Sequence, residues 1–90
     1  MTRKSAHIQR LVKAALIAGE ISDLDDLMQI VPKAILARRL AMTEKEIDLR
    51  LKGVERFKLR EIFTIGNICG LNTTGIYNIV ETSYFSQKKK

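Results

Sequence analysis

The segment PKAILARRLAMTEKEIDLRLKG, residues 32–53, constrains the fold more than any other stretch of this chain. Pro32 suits the first turn of a helix, where its fixed φ is already helical and its missing N–H is not needed. The helix it opens runs through KAILARRLA, with Leu36, Ala37 and Leu40 on the inward side. Thr43 starts a second helix, because Thr43 and Glu46 have the Thr-x-x-Glu spacing of a capping box. This helix spans about 43–52 and stops at Gly53. Two helices joined so tightly cross closely, so one contact position must be small, and Ala37 supplies it. Ile47, ten residues after Ala37, packs back on the first helix, and Leu51 follows one turn later. Leu40 and Met42 frame the turn.

The flanking segments are helical as well. Residues 5–20, SAHIQRLVKAALIAGE, have Ser5 as a cap and Gly19 where helices end. Ile8, Leu11, Val12 and Ala15 form a stripe at helical spacing, widened by Leu16 and Ile17. A stripe this broad is expected to have contacts on two sides, either both within its own domain or with part of it as a dimer seam. SDLDDLMQIV is a short helix capped by Ser22 or Asp23, with Leu24, Leu27, Met28 and Val31 inward. Its acids cluster in the first turn, where the helix dipole favours them, and need no metal. VERF is a loop anchored by Phe57. KLREIFTIGNIC follows, with Leu59, Ile62, Phe63, Gly66 and Cys69 on one face and Gly70 as its end. Gly66, inside the helix, allows close packing. Asn72 or Thr73 caps a last helix with Ile76, Ile79 and Val80 inward, before a frayed basic tail over residues 84–90. No alternating strand pattern survives. The expectation is a single all-α domain, residues 1–90, built as a small bundle of six helices.

Ninety residues carry a net charge of +6, unevenly spread. Residues 1–13 hold four positive charges and no acid, whereas residues 14–32 hold Glu20, Asp23, Asp25 and Asp26 and no Lys or Arg. A basic centre with basic ends suits a polyanionic partner. Catalysis is not expected. The one histidine, His7, reads as a surface residue and the one cysteine, Cys69, as a small core residue. No zinc set, nucleophile–base pair or phosphate-cradling glycine loop can be assembled, so no cofactor or metal is expected. The longest apolar runs fall far short of the roughly 18 residues a membrane span needs. A lone cysteine and a polar N-terminus fit a cytoplasmic protein, nucleoid-associated if it binds DNA.

The central pair, with Ala37, Leu40, Met42, Ile47 and Leu51 so spaced, resembles the helix-turn-helix of lambda-repressor-like (Cro-type) DNA-binding domains. LKGVERFKLREIFTIGNICGLNTTGI is similar to that family's stretch after its second helix: a glycine stop, a loop, an apolar helix, a Gly-apolar step and a final helix. The resemblance covers about residues 30–82 and leaves 5–20 as an extra N-terminal helix. The chain departs from the family pattern at Ala41, where a glycine is usual at the turn, at Arg50, where an apolar residue is usual, and at Lys33, near where glutamine often touches phosphate. A left-handed turn at Ala41 costs a non-glycine residue roughly 1–2 kcal/mol, so a rewound turn is expected there.

The resemblance implies a sequence-specific double-stranded DNA-binding protein, a transcriptional regulator acting as a homodimer, with helix 43–52 in the major groove. Yet this helix opens TEKEID, three acids in six residues. On a wheel of 100° per residue Ile47 and Leu51 point inward, and Lys45, Leu49 and Lys52 point away. Glu46 stands four residues before Arg50, and Asp48 four before Lys52, the favoured order for helical ion pairs. Thr43 and Glu44 sit at the tip. Lysine can donate to guanine and Leu49 can meet a thymine methyl, while Glu44 can accept from a cytosine amino group. Lys33, Arg38, Arg39, Arg56 and Lys58 are the candidates for phosphate contacts, with the N-terminal Thr2-Arg3-Lys4 as a basic arm. The alternative is a protein-interaction or dimerisation module that keeps the fold, has lost specific DNA reading, and meets its partner through the N-terminal helix.

Overall fold

A computed structural model describes residues 3–88, and their side chains from residue 6 onward. Six α-helices follow one another: α1 (Arg3–Ile17), α2 (Leu24–Met28), α3 (Lys33–Leu40), α4 (Glu44–Lys52), α5 (Leu59–Cys69) and α6 (Thr73–Lys88). A 3-10 turn at Val54–Arg56 links α4 to α5, and there is no strand among the described residues. The all-helical expectation holds. α5 is the central element, in contact with α1, α3 and α6, while α2 lies against α6 and α3 against α4. Val12, Leu27, Leu36, Ile47 and Ile65 from five different helices share one core with almost no exposure. None of the helices is long and apolar enough to cross a membrane among the described residues.

The ends of the helices follow local chemistry. Asp23 caps α2, its carboxylate accepting from the Asp26 N–H at 2.9 Å. The first N–H of the same helix, Leu24, donates to the buried Ser83 hydroxyl of α6 at 2.7 Å. Asn72 accepts from the Gly75 N–H at the start of α6. Gly70 ends α5 with φ +73°. Gly66 allows the close approach of α6, since a Cβ there would lie 3.1 Å from the Ile76 Cγ2.

Ala41 takes the left-handed conformation outright, with φ 56° and ψ 46°, so the turn is not rewound. The N–H groups of Ala41 and Met42 donate to the last turn of α3, to Arg38 and Ala37 carbonyls, which holds the residue there. Replacing Ala41 by glycine removes the steric cost of that conformation. Ala41→Gly is expected to raise the unfolding free energy by about 0.5–1 kcal/mol, read by urea denaturation.

Four expectations are corrected. α1 has begun by Arg3, so Ser5 lies within its first turn and is not the cap; the Thr2-Arg3-Lys4 arm falls outside the described side chains. Pro32 stands at the cap of α3, one residue before the first turn. The buried face of α5 is centred on Ile62, Ile65, Ile68 and Cys69, whereas Leu59 and Phe63 are exposed. Helices on more than one side of α5 bury a wide arc, which a single stripe does not describe; Phe63 instead meets Tyr77 edge-to-face at the rim. Finally, residues 84–88 of the expected tail continue α6, while residues 89–90 lie outside the described residues. Gln87 holds this end of α6: its amide donates to the Leu51 carbonyl at 2.8 Å and accepts from the Val54 N–H at 3.2 Å.

Cys69 is buried in the core, and desolvation pushes its thiol up to about 12. Folding therefore keeps the thiol protonated. That contribution to stability is complete below the ordinary thiol value of 9.0 and is lost as pH rises toward 12. A thiol-specific reagent at pH 8 is expected to label Cys69 only after denaturant is added.

Candidate nucleic-acid interface

α4 is fixed from three directions. Thr43 caps it, the hydroxyl accepting from the Glu46 N–H at 3.1 Å. Ile47 anchors its inner face with 0 % exposure. Its last turn is held through Arg50, whose Nε donates to Glu61 of α5 at 3.2 Å. Glu61 is itself buried and accepts from the Lys58 N–H at 2.9 Å. One carboxylate thus closes the first turn of α5 and clamps α4 to it.

The helical pairs expected along α4 do not form. Arg50 bonds Glu61 in place of Glu46, and Asp48 bonds Lys33 in place of Lys52. The reason is burial and proximity. A carboxylate inside the protein gains more from a guanidinium than one in water does. Glu46 is exposed, while Glu61 is almost fully covered. The turn at Ala41 folds α3 back so that Lys33, its first residue, reaches the middle of α4. The hydrogen bond to Asp48 raises the Lys33 ammonium above its ordinary value of 10.5. Of the capping box only the Thr43 half is made, since Glu46 points to solvent and leaves the Thr43 N–H unbonded by its side chain.

What remains on the outer side of α4 is a mixed surface. Thr43, Glu44, Lys45, Glu46, Leu49 and Lys52 are all exposed, Leu49 to 45 %. Lys45 and Lys52 form no ion pair among the described residues. Lys52 nonetheless shares a cleft with Asp25, Asp48 and Gln87, so its charge is partly balanced. Arg56 and Lys58, in the link to α5, are exposed.

The ten residues singled out in the sequence are not all brought together. Lys33 and Asp48 neutralise each other at the junction of α3 and α4. Arg38 lines a cleft toward α1, with His7 and Leu11. Arg39 lines another toward α5, with Arg60 and Thr64. The Glu61–Arg50 clamp was missed. The Lys58-x-x-Glu61 spacing, an acid at the third position of a helix, was the available signal.

Comparison with family models, curated proteins and solved structures finds no match for this chain.

Proposed function

We propose that the chain binds duplex DNA through α4 and acts as a sequence-specific transcriptional regulator, two copies meeting two half-sites. The observation that carries this reading is the outer side of α4, where Lys45 and Leu49 stand exposed while the nearby Asp48 carboxylate is matched by Lys33. Lys45 is a donor suited to guanine, and Leu49 is an apolar contact suited to the thymine methyl. Lys52, Arg56 and Lys58 supply phosphate contacts at the far end of the helix. Arg38 and Arg39 line other clefts and are not needed for it.

The alternative, a protein-interaction module, is favoured by one observation: α1 leaves Leu11 and Ile17 exposed, Ile17 to 79 %. Anisotropy titration of a labelled duplex at low and moderate salt tests the first reading. Binding that persists at moderate salt supports DNA recognition. Binding only at low salt is charge alone and favours the alternative.

A further inference from the structure

Between α1 and α3 lies an open cleft of about 450 Å³. Ile8, Leu11, Ile30 and Ile35 make its floor, and His7 and Arg38 stand at its edge. Leu11 is 43 % exposed although it belongs to a helix whose other side enters the core. No Asp or Glu lines the cleft and Arg38 is its cation, since Lys33 pairs with Asp48 and Arg39 lines the cleft toward α5. Another apolar cleft, between the 3-10 turn, α5 and α6, has the opposite edge, with Glu55 and Glu81. The α1–α3 cleft is therefore apolar below, with the Arg38 cation and no acid at its edge.

We propose that this cleft is the docking groove for an acidic amphipathic helix of a partner protein. An apolar floor gains nothing from a sugar–phosphate backbone, whereas a helix laying Leu-type side chains into it buries them and turns a carboxylate toward Arg38. A second copy of this chain lacks a suitable insert. Among the described helices α2 has acids and no Lys or Arg, but it is five residues long and its Leu24 and Leu27 are already buried at home; α4 matches its acids with Lys45, Arg50 and Lys52. The inference is independent of DNA binding by α4, because it uses α1 and the opposite part of α3.

The test is titration of the full chain with a synthetic helical peptide of about 14 residues, leucines on one face and glutamates on the other, followed by amide NMR shifts and calorimetry. Shifts are expected at His7, Leu11, Ile35 and Arg38. The same peptide with lysine in place of glutamate should bind at least about tenfold more weakly. Leu11→Glu and Arg38→Glu, both at exposed positions, should each weaken binding at least about fivefold with the helical circular dichroism unchanged, and Lys45→Glu should leave it intact. The proposal is overturned if the shifts fall elsewhere or are absent, or if the lysine peptide binds equally. It is also overturned if a duplex shifts these same residues, which would assign the cleft to nucleic acid. Self-association by sedimentation that Arg38→Glu abolishes would assign it to a second copy.

Discussion

Glu61→Ala is expected to lower the unfolding free energy by about 3 kcal/mol, a large share of the stability of a domain this size. The change removes two bonds at once. The Lys58 N–H, held at 2.9 Å, loses its acceptor, and the Arg50 guanidinium, held at 3.2 Å, loses its counter-charge. Arg50 retains some access to water, its side chain being 23 % exposed, so the cost stays below that of a fully buried orphan charge. Glu61→Gln separates the two contributions. Its side-chain oxygen can still accept from Lys58, so only the charge is lost and about 1 kcal/mol is expected. Equal effects from both variants would mean that the ion pair, and not the backbone bond, dominates. Urea unfolding checks the pair. Because the clamp joins α4 to α5, Glu61→Ala should also loosen the last turn of α4, seen as faster amide exchange at Leu49–Lys52.

Lys45→Glu is the variant with the largest expected effect on DNA binding. Lys45 is exposed on the outer side of α4 and forms no ion pair among the described residues. If it donates to a base, its loss should weaken binding about tenfold to a hundredfold. Stability should change little, since the side chain buries no contact. Lys13→Glu makes the same change in net charge on α1 and serves as the control. If both variants weaken binding equally, the effect is one of net charge alone and α4 has no special place. Anisotropy titration at moderate salt measures the difference.

Much of the architecture was legible in the sequence because short-range chemistry wrote it there. The Thr43 cap, the buried Ala37 and Ile47, and the close approach at Gly66 are all local features, and all are found. What sequence reasoning missed depends on distant residues meeting. Glu61 and Arg50 are eleven positions apart, and nothing within α4 announces that Arg50 leaves Glu46 for a buried partner. Asp48 likewise turns to Lys33 on the preceding helix. Residues 84–88 look like a polar tail, yet Gln87 ties them to the link after α4 across more than thirty positions. In α4 the helical period places Ile47 inward and Lys45, Leu49 and Lys52 outward, as found. The single stripe expected for α5 does not hold, because α5 packs on several sides, which buries Ile65 and Ile68 and leaves Leu59 outside. At the candidate site the exposure of Lys45, Leu49 and Lys52 was legible from periodicity. The separation of Arg38 and Arg39 into different clefts was not, since it depends on where α1 and α5 lie against α3.

The most direct measurement is selection from a pool of randomised duplexes at moderate salt, with the retained DNA sequenced. DNA recognition by α4 predicts an enriched motif, with half-sites about one helical turn apart, that Lys45→Glu alters or abolishes. Retention at low salt only, with no motif and no response to Lys45→Glu, would contradict it.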